Sequence, residues 1–236
     1  MGGFKHRGGE RDHRERRHTE TVAWVPKTTL GKKVQSGEIT SYDQILDAGT
    51  RVLEPQIVDA LLPELREEVL EIKSTQRMSA YGRKMKMRAV VVMGNGAGFI
   101  AVGVGKAAET RDAIAEAIKD AKKSIVRVRL GCSSWECACG SAHSVTRATA
   151  GKSASTQILL KPAPRGVGIV ANETAKKVLE LAGVKDVWSF AKGRTRNKLN
   201  MVLATIHALG KLNVLKEGVE SKPEQTEEKA AEAQVA

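Results

Sequence analysis

The chain has 236 residues, with 39 Lys and Arg against 27 Asp and Glu and a sequence pI near 9.7. That length accommodates one sizeable core or two small ones. The cationic surplus points to a polyanionic partner, either nucleic acid or an anionic membrane surface. No stretch approaches the roughly 20 consecutive apolar residues that cross a bilayer, so a membrane-spanning helix is excluded and a cytoplasmic location is expected.

In chain order, residues 1–20 (with GGFKHRGGERDHRERRH) carry cations and no apolar core behind them. A disordered basic tail is expected there rather than a secretory signal. Residues 21–66 mix short apolar clusters with Gly and Pro. They predict an extension with short helices over Tyr42–Ala48 and Pro55–Leu62, the second stopped near Pro63, lying on a neighbour or on the first domain.

A first domain is expected over 67–130. Val69–Lys73 and Met87–Met93 have strand character, and Phe99–Val104 is an apolar run broken by Gly103. Ile114, Ala117, Ile118, Ala121 and Ile125 recur at helical spacing, with Thr110 available as a cap and Arg111, Lys119, Lys122 and Lys123 off the stripe. Ile125–Leu130 adds another strand. Residues 131–143 form a cysteine-containing loop. A second domain, 144–214, predicts strands at Ser144–Thr149 and Gln157–Lys161, then a turn over Pro162–Gly168. After it come a helix capped by Asn172 and stopped at Gly183, a short buried strand at Val184–Trp188, and a final helix facing the core with Leu199, Val202, Leu203, Ile206 and Leu209. Residues 215–236 read as a solvated, disordered acidic tail. The fold class is α+β, with two small α/β domains.

The most informative stretch is RMSAYGRKMKMR, where Arg77, Arg83, Lys84, Lys86 and Arg88 occur without a single acid. A self-contained domain dilutes such charge with carboxylates, so an RNA partner is the reading. Lys161 with Arg165, and Lys192, Arg194, Arg196 and Lys198, form two further cationic groups beside Gly and Pro, while Lys106 and Lys152 extend the surface. Aromatic residues number only 3 Phe, 3 Trp and 2 Tyr. Base stacking therefore contributes little, and contacts are expected on phosphate, sugar and groove shape.

Other motifs fail their context. GNGAG (Gly94, Gly96, Gly98) lacks the helix that a dinucleotide fingerprint must open, so it predicts a hairpin turn. Gly105-Lys106 and Gly151-Lys152-Ser153 lack the glycine a P-loop places upstream. Cys132, Cys137, Cys139 and His143 are donor types that suit zinc, yet their C-x4-C-x-C-x3-H spacing departs from the usual C-x2-C knuckle. The expectation is therefore no metal and no cofactor, with a reduced loop in which Trp135 and the thiols pack. Nothing marks an orienting acid or an oxyanion site, so no enzymatic activity is expected.

RAVVVMGNGAGFIAVGVGKAAETRDAIAEAIKDAKKSI, followed by LLKPAPRGVGIVANETAKKVLELAGVKDVW, resembles the two halves of the universal small-subunit ribosomal protein family S-five. WVPKTTLGKKV, EPQIVDALLPEL and SWECACGSAH resemble its archaeal branch. The resemblance implies a first domain like the double-stranded-RNA-binding fold, with strands packed on one helix. It also implies a second, two-layer strand-helix-strand-helix domain with a left-handed crossover. It implies a ribonucleoprotein role in translation: binding small-subunit ribosomal RNA where head and body meet, near the mRNA entry path, beside proteins S-four and S-eight, in support of decoding accuracy. By the same resemblance Arg77–Arg88 is the family's basic hairpin, and Gly94, Gly96 and Gly98 its glycine turn. Gly103, Gly105 and Lys106 end the next strand, and Pro162, Pro164, Arg165 and Gly166 form the second-domain turn. Met85, Met87 and Ala154 depart from the pattern, Ala154 standing where glycine is usual. A free-standing double-stranded-RNA binder is the alternative reading.

Overall fold

The computed structural model describes residues 24–137 and 139–214; the expectations for 1–20 and 215–236 lie outside these residues. Three short helices come first: α1 (Thr29–Gln35), α2 (Tyr42–Asp47) and α3 (Pro55–Leu61). The last two match the expected helices to within a residue, whereas α1 was not anticipated. Its start is set by Thr28, whose hydroxyl accepts from the Gly31 amide, and by Glu54. The Glu54 carboxylate accepts from the Trp24 indole and from the Lys27 and Thr28 amides. Desolvation pushes that carboxyl up, but the bonds from Thr28, Lys27 and Trp24 outweigh it and leave it below its ordinary range.

The first sheet has the order β1 (Arg66–Ser79), β2 (Gly82–Gly94), β3 (Phe99–Ala107) and β4 (Val126–Arg127), all antiparallel. Ala89 to Met93 are buried at every position, because the sheet is covered on both faces. Helix α4 (Thr110–Lys123) lies on one face through Ala113, Ala117 and Ala121. Tyr42, Ile45, Val52, Ile57 and Val58 of the extension close the same core, so the extension wraps its own first domain. Lys122 to Asp59 at 2.6 Å and an edge-to-face contact of Tyr42 with Phe99 fasten it. Burial pushes the Tyr42 phenol up to about 12. Past β4 the free edge of β3 is satisfied by α4: Asp120 accepts from the Val104 amide and Glu116 from the Lys106 amide.

Several boundaries differ from expectation. The first two strands run far beyond the apolar segments Val69–Lys73 and Met87–Met93, since the ladder continues through charged residues to Ser79 opposite Gly82. Helix α4 is capped at Glu109, without a side-chain bond, and not by Thr110, which is its first helical residue. Ile125–Leu130 yields β4 and the start of a short ribbon, β5 (Leu130–Gly131) with β6 (Ser144–Val145).

The second unit is a sheet of order β7–β8–β10–β9, with β7 (Thr149–Ser153), β8 (Thr156–Pro162), β9 (Ile169–Val170) and β10 (Val187–Lys192). Helices α5 (Glu173–Ala182) and α6 (Lys198–Gly210) form its second layer. β10 is antiparallel to β8 and parallel to β9, which makes β9–α5–β10 the crossover unit. Asn172 caps α5 as expected, accepting from the Thr174 amide, and Gly183 ends it in the left-handed region. The strand expected at Val184–Trp188 begins at Val187 instead, and its Trp188 and Phe190 face outward. Helix α6 buries a face turned from the expected one: Met201, Ala204, Thr205 and Ala208 join Val202, Ile206 and Leu209, while Leu199 and Leu203 are only half-buried.

The second face of the first sheet packs on this unit: Val92, Ile100 and Val128 share one core with Leu179, Met201 and Leu209. The expected glycine turn at Gly94–Gly98 is the joint. The Gly96 amide donates to the Leu181 carbonyl at 2.9 Å. A Cβ on Gly94 would lie 2.3 Å from that carbonyl oxygen, and one on Gly183 would lie 2.2 Å from the Gly96 oxygen. Close backbone approach accounts for Gly94 and Gly183. No helix among the described residues is long and apolar enough to cross a membrane.

Ala154, in the turn between β7 and β8, has φ 52 and is the only described non-glycine residue in the left-handed region. Ala154→Gly is therefore expected to raise unfolding free energy by about 0.5–1 kcal/mol, the left-handed penalty less the entropy of an added glycine. Chemical denaturation of both chains measures the difference.

Candidate nucleic-acid interface

Beyond the core, β1 and β2 continue as a two-stranded arm. Its register sets Lys73 opposite Arg88, Thr75 opposite Lys86 and Arg77 opposite Lys84; Arg88 in turn stands opposite Lys106 of β3. Cross-strand partners and alternate residues share a face, so Lys73, Arg77, Lys84, Lys86, Arg88 and Lys106 form one cationic surface. Glu71 is the acid that moderates it, bonded to Lys73 at 2.7 Å and to Arg88 at 3.4 Å. Arg88 is therefore half-buried and committed to an internal partner, unlike its neighbours. Among the described residues no ion pair engages Arg77, Arg83, Lys84, Lys86 or Lys106. Like charges directly opposite in a ladder oppose folding. The opposite face holds Met78, Met85 and Met87 with Arg83, and Tyr81 at the tip is fully exposed. The two methionines that depart from the family pattern thus lie on the arm's apolar side, Met85 exposed and Met87 half-buried against the core.

The second unit presents its cations on an open sheet face and at one loop cluster. Lys152, Gln157 and Lys192 form one cross-strand row, and Lys161 stands opposite Trp188. Trp188 and Phe190 are exposed between them, with Lys192 Nζ 5.7 Å from the Phe190 ring centre. Scarcity of aromatics in the sequence had hidden this patch, since two rings suffice when one strand aims both outward. Arg194, Arg196 and Lys198 follow β10, exposed; the Arg194 carbonyl accepts from the Thr156 hydroxyl, which anchors the loop. Arg165 is exposed on the turn Pro162–Gly168. Asp186 clamps that turn, accepting from the Gly166 amide at 3.0 Å and the Gly168 amide at 2.8 Å.

Neither P-loop fragment opens a helix: Gly105-Lys106 lies within β3 and Gly151-Lys152-Ser153 within β7. Cys132, Cys137, Cys139 and His143 do converge, their sulfur and nitrogen atoms lying within 4.8 Å of one another. Trp135 does not pack on them as expected; it is 91% exposed. Sequence reading also passed over Lys73, whose place on the cationic face depends on register. It missed Asp186, whose partners are distant in sequence, and Arg129, exposed beside the Gly98 turn.

Residues 65–129 match the family model described as ribosomal protein S5, N-terminal domain, and residues 151–221 match the model for its C-terminal domain. A protein from Methanocaldococcus jannaschii, named small ribosomal subunit protein uS5, is 53% identical over 190 residues, covering 80% of this chain and 88% of that one. The protein of the same name from Methanoregula boonei is 49% identical over 199 residues, 84% of this chain and 97% of its own length. One from Methanospirillum hungatei is 50% identical over 195 residues, 83% of this chain and 95% of that one.

Proposed function

The chain belongs to the ribosomal protein S5 family, and from that premise we propose that it is a structural constituent of the small ribosomal subunit which ties ribosomal RNA helices together through phosphate contacts. The observation that carries the binding mode is Arg77 facing Lys84 across an arm where, among the described residues, Arg77, Arg83, Lys84 and Lys86 pair with no acid. Such a surface attracts a polyanion, and the ribosomal RNA backbone supplies one. Arg77, Arg83, Lys84, Lys86 and Lys106 serve one RNA segment. Lys152, Lys161, Arg165, Lys192, Arg194, Arg196 and Lys198 serve others, and the shared core behind the Gly94–Gly98 turn holds the two sets at a set distance. Arg88 tunes the arm through Glu71 and makes the weakest RNA contact of the set.

Within the subunit the protein joins head to body near the mRNA entry path, in the cytoplasm, and supports decoding accuracy by biasing how readily the subunit closes on a cognate codon. Its protein neighbours are S-four and S-eight. Apolar surface for such neighbours is offered by the exposed Trp188 and Phe190 rings between the sheet-face lysines and by Met78 and Met85 beside Arg83 on the arm. The role is structural and not enzymatic.

Co-sedimentation with small subunits through high salt tests this reading. Retention of the chain on the particle is expected, whereas a free-standing double-stranded-RNA binder washes off. Arg165→Ala in an RNA-binding titration should reduce the slope of log K against log salt by about 0.7–0.9, without changing sequence preference.

A further inference from the structure

We propose that Cys132, Cys137, Cys139 and His143 form a structural zinc site that locks the loop between the two sheets. The ribbon explains how so irregular a spacing succeeds. Gly131 of β5 pairs with Ser144 of β6, so the next residues outward, Cys132 and His143, are brought side by side at the neck of the loop. The chain then reverses, the Cys137 amide donating to the Ser134 carbonyl at 3.1 Å, which returns Cys137 and Cys139 to the same point. All four donor atoms lie within 4.8 Å of one another.

The distances fit a tetrahedral ion. With Zn–S of about 2.3 Å and Zn–N of about 2.05 Å, the sulfur-to-nitrogen edge of a tetrahedron is about 3.5 Å. Cys137 Sγ stands 3.6 Å from His143 Nε2. The imidazole is aimed from behind: His143 Nδ1 bonds Asp186 Oδ2 at 2.8 Å, both side chains being buried. That bond places the ring hydrogen on Nδ1 and leaves the Nε2 lone pair facing the thiols, the carboxylate–histidine arrangement found behind zinc ligands. Without a cation the buried Nε2 would face three thiols and gain only weak hydrogen bonds. Three sulfurs and one nitrogen select zinc over the hard cations, and four protein donors leave no open position for catalysis.

The ion would couple the loop to the RNA-facing turn. Asp186 accepts from Gly166 and Gly168 through its other oxygen, so the metal, His143, Asp186 and the loop bearing Arg165 form one continuous network. It would also hold Trp135 in its exposed position at the loop's far side.

Full-length chain expressed in zinc-supplemented medium and purified without chelator is the sample, and elemental analysis is the readout. About one zinc per chain is expected, falling at least tenfold in Cys137→Ser/Cys139→Ser. Because that variant could fail to fold, cobalt is titrated into the chelator-stripped original chain. Intense visible bands of tetrahedral cobalt–thiolate are expected, saturating at one equivalent and abolished by zinc. Purified chain without zinc and without such bands would overturn the site. So would zinc that persists undiminished in the double variant.

Discussion

Replacing Arg77, Arg83, Lys84 and Lys86 together by alanine is expected to remove stable entry of the chain into small subunits while leaving its own fold intact. These side chains make no ion pair among the described residues, so the substitution breaks no internal salt bridge. It also relieves the repulsion between Arg77 and Lys84, and unfolding free energy should remain within about 1 kcal/mol of the original or rise slightly. Against ribosomal RNA the loss is large. Four phosphate contacts correspond to a fall of about 3 in the salt slope and roughly 100-fold in affinity near physiological ionic strength. A filter-binding series in salt, with thermal unfolding of the same samples, separates the two effects. Glu71→Ala gives the complementary control: it frees Lys73 and Arg88, and RNA affinity should hold or increase as stability falls by about 1–3 kcal/mol.

The largest stability effects are expected at Gly103 and Gly151. In both units strand glycines lie directly under a helix backbone, Gly103 and Gly105 under α4 and Gly151 under α6. A Cβ on Gly103 would stand 2.0 Å from the Ala117 carbonyl oxygen of α4, and one on Gly151 would stand 1.9 Å from the Ala204 oxygen of α6. Both obstacles are backbone, which cannot rotate aside as a side chain can. The helix must lift from the sheet and open the core on both sides of the contact. Gly103→Ala and Gly151→Ala should each cost about 3 kcal/mol or more, measured by denaturant titration. Gly210→Ala is the internal control, since its Cβ would meet only Val126 Cγ1 at 3.8 Å. Within α6 it should be neutral or stabilise by up to about 1 kcal/mol.

These pairings show what a linear reading reaches and where it stops. Asn172 and Gly183 announce a helix locally because their roles as cap and stop depend on the next few residues. The turn at GNGAG was legible for the same reason, yet its partner at Leu181–Gly183 was not, because two segments far apart in sequence meet there. Strand ends in the arm were lost where the apolar alternation that marks a strand gives way to Arg and Lys, although the hydrogen-bond ladder is indifferent to that change. Trp188 was assigned to the interior on hydrophobicity alone; in the strand that starts at Val187, alternation buries Val187 and turns Trp188 outward. The cysteines were discounted on spacing, a rule that presumes one particular turn. The β5–β6 ribbon closes the loop by another route. Cationic residues were legible as a set, while their division into one arm face, one sheet row and one clamped turn came only with register.

The central claim is that a rigid pair of units holds these cations against RNA phosphates at set separations. A density map of small subunits carrying this chain tests it most directly. Arg83, Lys84 and Lys86 of the arm should approach phosphate oxygens of one RNA segment, and Arg165 and Arg194 those of others. If all five side chains project into bulk solvent in the assembled particle, that arrangement is not how the protein works.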